Sequence, residues 1–229
     1  LPSDLFIINE TDSENEKNSK YILNAVKREN LQRNMITKGI ELASPDDLII
    51  ISDLDEIPNL EDCNIKEIKN KIILFKQKFF YYKFNLKLLN YPWHGSKACK
   101  KKDLISPQWL RNVKDKIYPP WRVDTFLSNK KYQDIKIINN GGWHFSNIKT
   151  PADIEKKMKT YLHHREYELN PIGEKRISEI IEEKKPIYNL KTDMRGNKFD
   201  LADQLIIADI SELPYYIKKN INKYKDWLN

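Results

Sequence analysis

Short dense apolar runs alternate along the chain with longer stretches in which apolar residues recur every three or four positions. Leu5-Phe6-Ile7-Ile8 predicts a short strand, and the polar run Asn9 to Asn18 a loop. From about Ser19 to Ala43 the apolar positions Ile22, Leu23, Val26, Leu31, Met35 and Ile40 approach the period of an amphipathic helix, which Pro45 ends. Leu48 to Ile51 is continuously apolar and bounded by polar residues, the pattern of a central strand buried on both faces. A helix is predicted around Glu61 to Lys69, and a strand over Ile72 to Phe75. Phe79 to Leu89 is aromatic and β-prone, its later part alternates, and it predicts two strands of a mixed sheet. Ser106-Pro107 caps a helix through Arg111, Ile135 to Ile138 is a further strand, and Asn139-Asn140-Gly141-Gly142 is a turn. Thr150-Pro151-Ala152-Asp153 opens a helix to about Leu162, and Glu174 to Glu183 and Tyr215 to Trp227 read as helices. The class is α/β: a mixed central sheet flanked by helices, in one domain over residues 1–229.

The Leu48 strand delivers Asp53, Asp55 and Glu56 to the end of a sheet, where α/β proteins bind ligands. Strand alternation puts Asp53 and Asp55 on one side with Leu54 turned away, a geometry suited to Mg²⁺ or Mn²⁺ carrying a phosphorylated substrate. Acidic residues after a strand are equally a solvated loop or a helix cap. Tyr91-Pro92-Trp93-His94-Gly95 joins an aromatic ring to an imidazole, as sugar sites do, and is equally a core Trp beside a polar His. Arg33 stands in the polar group Arg28 to Asn34, within reach of a phosphate or serving solubility alone.

Composition narrows these readings. The hydrophobic fraction of 40% is globular, no apolar run approaches a membrane span, and no signal-peptide pattern opens the chain, so a soluble protein is expected. Cys63 and Cys99 form no C-x-x-C and are expected as free thiols. A formal charge of +7 suits an anionic partner, yet the basic residues are dispersed and the run Lys100-Lys101-Lys102 lacks interleaved aromatics, which counts against nucleic acid.

Glu29-Asn30-Leu31-Gln32-Arg33-Asn34, Pro45-Asp46-Asp47 through Asp53-Leu54-Asp55-Glu56-Ile57-Pro58, Pro92-Trp93-His94-Gly95, Gly142-Trp143-His144-Phe145-Ser146 and His164-Arg165-Glu166-Tyr167 occur in that order. In these blocks the chain resembles glycosyltransferase family 17, whose animal members add bisecting GlcNAc as β-1,4-mannosyl-glycoprotein β-1,4-N-acetylglucosaminyltransferases. The resemblance implies a GT-A type fold, a UDP-sugar donor with UDP-GlcNAc first, a glycan or glycoprotein acceptor with a β-linked mannose first, Mn²⁺ or Mg²⁺, and inversion at the anomeric carbon. Family members carry further sequence before the Glu29 block, including the first βαβ elements, so either a cut or a minimal form of that N-terminal region is expected. An animal-type member would work in the Golgi lumen, a microbial or viral one in the cytoplasm.

On this resemblance Asp53 and Asp55 are assigned to the metal and the ribose-diphosphate, with Arg33 and Glu56 beside them, and His144 is the candidate third metal ligand or diphosphate contact. Trp93 and Trp143 would offer faces to sugar rings, joined on the acceptor side by His94 and His164. Inverting transfer also needs a group to take the acceptor's proton. Glu166 is the first candidate and Asp124 the second, while Glu166 with His164 would equally cap a helix. The competing classes are a basic nucleic-acid-binding module and a metal-dependent phosphohydrolase using the acidic cluster.

Overall fold

The computed structural model describes residues 1–61, 63–119, 121–160, 167–168, 171–188, 190 and 204–229. Helix α1, Glu14–Asn34, is capped by Ser13, whose hydroxyl accepts from the Glu16 N–H while the Glu16 carboxylate accepts from the Ser13 N–H. It continues into a 3₁₀ turn, Met35–Ile40. Leu5 to Ile8 does not form the expected strand. Among the described residues no strand pairs with it, and buried Asn24 instead binds both the N–H and the carbonyl of Phe6, at 2.7 and 2.8 Å.

Strand β1 is Leu48–Ile51, β2 Glu56–Pro58, β3 Ile72–Phe75, β4 Gln77–Tyr81, β5 Leu86–Trp93, β6 Lys97–Lys100, β7 Ile135–Ile138, β8 Gly142–Ser146 and β9 Leu205–Ile207. They form two mixed sheets where one was expected: a four-stranded sheet ordered β1-β6-β3-β7 and a five-stranded one ordered β2-β8-β4-β5-β9. β3 with β7 and β4 with β8 pair in parallel, and the other pairs are antiparallel. β1 lies at an edge, not in the centre, and alternates between half-buried and buried positions, so its apolar run reflects two partly covered faces.

Period-2 alternation sorts β3 and β4 between layers. Ile72 and Leu74 face a core with Ile49, Ile51, Trp109 and Leu110, whereas Ile73 and Phe75 face the opposite side with Ala98. Trp109 and Leu110 come from helix α2, Pro107–Asn112, whose predicted cap is present: the Ser106 hydroxyl accepts from the Trp109 N–H. On β4, Phe79 and Tyr81 pack against Ile154 and Met158 of helix α3, Pro151–Thr160, and Ile177 and Ile180 of helix α4, Gly173–Glu182. Phe80 points the other way, to Phe145, Leu213 and Ile217, the last in helix α5, Tyr215–Lys219. The helix expected around Glu61 to Lys69 reduces to a 3₁₀ turn, Ile65–Glu67, with Ile65 and Ile68, one such turn apart, reaching the core beneath β3.

The two sheets meet along a seam where the chain crosses abruptly: at Ser52 to Asp55, at Lys76, at His94 to Ser96, and at Asn139 to Gly141. Backbone hydrogen bonds stitch it, Lys76 N–H to Ile138 O at 3.0 Å and Gly141 N–H to Lys76 O at 2.9 Å among them. Gly142 enters β8 with φ +119, and a Cβ there would lie 2.0 Å from the Ile57 carbonyl oxygen. Gly142→Ala is therefore expected to destabilise the protein by about 1–3 kcal/mol in urea unfolding, since both the backbone angle and the space demand glycine.

Candidate active site

The seam is lined with polar groups that the strand ends bring together. Ser52 donates to the Ser96 hydroxyl at 2.7 Å, and buried Gln77 donates to the same oxygen at 3.0 Å. After β1 the chain turns over Asp53-Leu54-Asp55-Glu56, closed by the Glu56 N–H donating to Asp53 O at 3.0 Å. The Asp53 N–H in return donates to Glu56 Oε2 at 3.0 Å. Asp53 and Asp55 are thus set by a turn and not by the strand alternation expected, and they face different partners while Leu54 stands fully exposed between them.

Asp53 is held by arginine. Arg33 Nη2 donates to Oδ1 at 3.2 Å and Arg111 Nη2 to Oδ2 at 2.9 Å, one from α1 and the other from α2. Arg33 is fixed in turn by Glu29, at 2.9 Å, and Gln108. Arg111 reaches further, donating to the Gly95 carbonyl at 2.6 Å and lying 3.1 Å from Glu56 Oε1. The Glu56 side chain is 0% exposed, and the same oxygen accepts from the Trp93 indole N–H at 2.9 Å. That packing explains Gly95, where a Cβ would fall 2.1 Å from Glu56 Oε1 and 2.3 Å from Trp93 Nε1.

Asp55 faces the other way, to His144 on β8, with Oδ2 3.4 Å from Nε2. Burial raises the Asp55 carboxyl, but the hydrogen bond and charge of His144, with Lys157 behind, bring it net below the ordinary value. The His144 ring lies against Trp93, at 4.6 Å and 22°, and against Phe79 at 4.4 Å. Among the described residues its buried Nδ1 has no hydrogen-bond partner. Lys157 on α3 donates to Asn147 at 2.7 Å, and burial lowers its ammonium while Asp55 raises it.

Asp53, Asp55 and His144 therefore do not form one donor set: both oxygens of Asp53 go to guanidinium groups. Among the described residues no three His, Cys, Asp or Glu side chains are grouped to hold a metal ion. Of the three expected ligands, Asp55 and His144 offer adjacent oxygen and nitrogen donors, a pair that suits Mn²⁺, and a divalent ion can take its remaining ligands from phosphate and water.

Beside this cluster, Trp93 and Arg111 also line an open cleft of about 370 Å³ together with Tyr91, His94, Lys97 and Asp115. His94 Nδ1 lies 3.1 Å from Asp115 Oδ2. Lys97 is buried beneath, its ammonium donating to the carbonyls of Arg111 and Val113 at 2.7 and 2.5 Å, and burial with the neighbouring Arg111 charge lowers it to about 8.

The remaining expected site residues stand elsewhere. Trp143 occupies the face of β8 opposite His144: its indole N–H donates to Glu212 O at 2.6 Å and its ring packs with the Phe80 and Phe145 layer, away from Trp93. Asp124 lies on an exposed segment, gripped by Arg122 at 2.6 and 2.8 Å and by Lys131 at 2.8 Å. Those cations hold its carboxyl far below the usual range, which makes it a weak proton acceptor. His164 and Glu166 lie outside the described residues. Arg111, Asp115 and Lys157 were not anticipated. Arg111 sits two residues after Trp109 in a short amphipathic helix, and only the pairing of that helix with the acidic turn reveals its part.

The blocks that carry the resemblance fall largely on this seam, and the family model of glycosyltransferase family 17 matches residues 5–229. The chain belongs to glycosyltransferase family 17. No curated protein and no solved structure matches it. A family 17 enzyme requires a sugar donor and an acceptor. Among the described residues no helix is long and apolar enough to cross a membrane.

Proposed function

We propose that the chain is an inverting transferase of the GT-A type that moves a sugar, GlcNAc first, from a UDP-sugar to a glycan hydroxyl, a β-linked mannose being the first acceptor to try. The observation that supports it best is the convergence at the seam of Asp55 with His144, the arginine-held Asp53, and a cleft walled by Trp93. Asp55 and His144 would hold a divalent ion, whose role is to offset charge on the departing diphosphate. Asp53 keeps lone pairs beyond those used by Arg33 and Arg111, and a carboxylate so fixed is ready to accept from ribose hydroxyls. Trp93 is held by its N–H bond to Glu56 and by the His144 ring, which fixes an aromatic surface at the junction of cluster and cleft.

The test is UDP release from a panel of UDP-, GDP- and CMP-sugars with Mn²⁺, Mg²⁺ or EDTA, with and without β-mannoside acceptors. Turnover of UDP-GlcNAc that needs both a divalent ion and the acceptor is expected. Preference for a GDP- or CMP-sugar would refute the donor, and equal release in EDTA would refute the metal.

A further inference from the structure

We propose that His94 takes the proton of the acceptor hydroxyl during transfer, and that Asp115 positions it for that task. The proposal rests on the transferase reading above and assigns the base to a residue that lines the described cleft, whereas Asp124 is bound by Arg122 and Lys131 on an exposed segment. His94 stands at the end of β5, directly after Trp93, so the proton acceptor and the aromatic wall are held by one strand end. Its Nδ1 is engaged by Asp115 Oδ2 at 3.1 Å, and its side chain is 11% exposed, in the wall of the open cleft.

A carboxylate on Nδ1 selects the tautomer with the proton on that nitrogen, which leaves the Nε2 lone pair as the base. Of the neighbouring cations, the Arg111 guanidinium offers donors and no acceptor, and the Lys97 ammonium is spent on two carbonyls. Charged groups around the imidazole are Asp115, which raises its pKa, and Lys76 and Lys97, which lower it; burial lowers it most, and the net direction is down. That direction favours the neutral ring, the form a base requires.

The step balances without a further reagent. The acceptor oxygen forms its bond to the anomeric carbon, the bond from that carbon to the diphosphate oxygen breaks, and the electron pair leaves with UDP. The hydroxyl proton passes to His94 Nε2 and then to water through the open cleft.

The experiment uses the full chain with UDP-GlcNAc and a soluble β-mannoside, with calorimetric donor binding measured alongside turnover. His94→Gln should lower kcat by about 10²–10⁴ with donor affinity unchanged within about twofold. Asp115→Asn should lower kcat by roughly tenfold and move the acid limb of the kcat profile to lower pH, since it removes the one neighbour that raises the imidazole. A purely structural Asp115 would leave that limb in place. Should His94→Gln fail to fold, the Asp115→Asn limb alone decides, because Asp115 is largely exposed. Donor bound normally with kcat of His94→Gln retained, a loss confined to acceptor KM, or an acid limb unmoved in Asp115→Asn would each overturn the proposal while leaving the donor reading intact. Wild-type protein that binds no nucleotide-sugar would overturn both.

Discussion

Arg111→Met is expected to lower the free energy of unfolding by about 3–5 kcal/mol, because it strips the shared cation from two carboxylates at once. Glu56 is wholly enclosed and has Arg111 as its cationic partner at 3.1 Å, while Asp53 receives the other arm of the same guanidinium at 2.9 Å. Arg33 would still hold Asp53 at 3.2 Å, so the loss should fall mainly on Glu56. Glu56→Gln in the Arg111→Met background should then recover part of the deficit, since the amide carries no charge and Oε1 can still accept from Trp93. Arg111→Lys should sit between wild type and Met, its point charge unable to span Asp53, Glu56 and the Gly95 carbonyl together. Urea unfolding of the four proteins measures all of this. A loss under about 1 kcal/mol for Arg111→Met would mean that Glu56 is stabilised by its hydrogen bonds to Trp93 and the Asp53 N–H alone.

Local signals were legible in the sequence, and pairings at a distance were not. The caps at Ser106 and Thr150, the strands Ile72 to Phe75 and Ile135 to Ile138, and the glycine turn before His144 depend on neighbours a few residues away. Leu48 to Ile51 was legible as a strand but not as an edge. Burial on both faces and burial by two separate cores leave the same apolar run, and only its register with Lys97 to Lys100 decides. Dividing the strands between two sheets was hidden for a similar reason. Phe75 and Gln77 belong to different sheets yet are one residue apart, and nothing in that tripeptide marks the crossing.

The candidate site shows the same division. Asp53, Asp55, Glu56, Trp93 and His144 were found from motif and resemblance, and the structure gathers them at the seam. What the sequence could not supply was partnership. Asp53 meets arginines 20 and 58 residues away, which puts an expected metal ligand at the centre of a guanidinium clamp. The resemblance assigns Trp143 a sugar ring, but neighbours on a strand face opposite ways, and β8 sends Trp143 into the Phe80 and Phe145 layer while His144 faces the site.

Separating Asp55 from Asp53 gives the sharpest test of the site. Asp55→Ala should reduce kcat/KM for the UDP-sugar by at least about 10³ and abolish the effect of Mn²⁺ on donor binding, a loss of the several kcal/mol a bound cation contributes to a departing diphosphate. Its side chain is 41% exposed and pairs with His144, so the fold should survive. Asp53→Ala should behave differently. It leaves Arg33 and Arg111 facing each other without the carboxylate between them, so stability should fall along with activity, while any residual donor binding should still respond to Mn²⁺ through Asp55 and His144. Calorimetry of UDP-GlcNAc with Mn²⁺ and with EDTA, run beside urea unfolding for both variants, separates these outcomes. If Asp55→Ala bound the donor with wild-type affinity and kept its Mn²⁺ response while Asp53→Ala lost both, Asp53 would be the metal ligand, the two guanidinium groups would have to leave it when the donor binds, and the pairing of Asp55 with His144 would be structural.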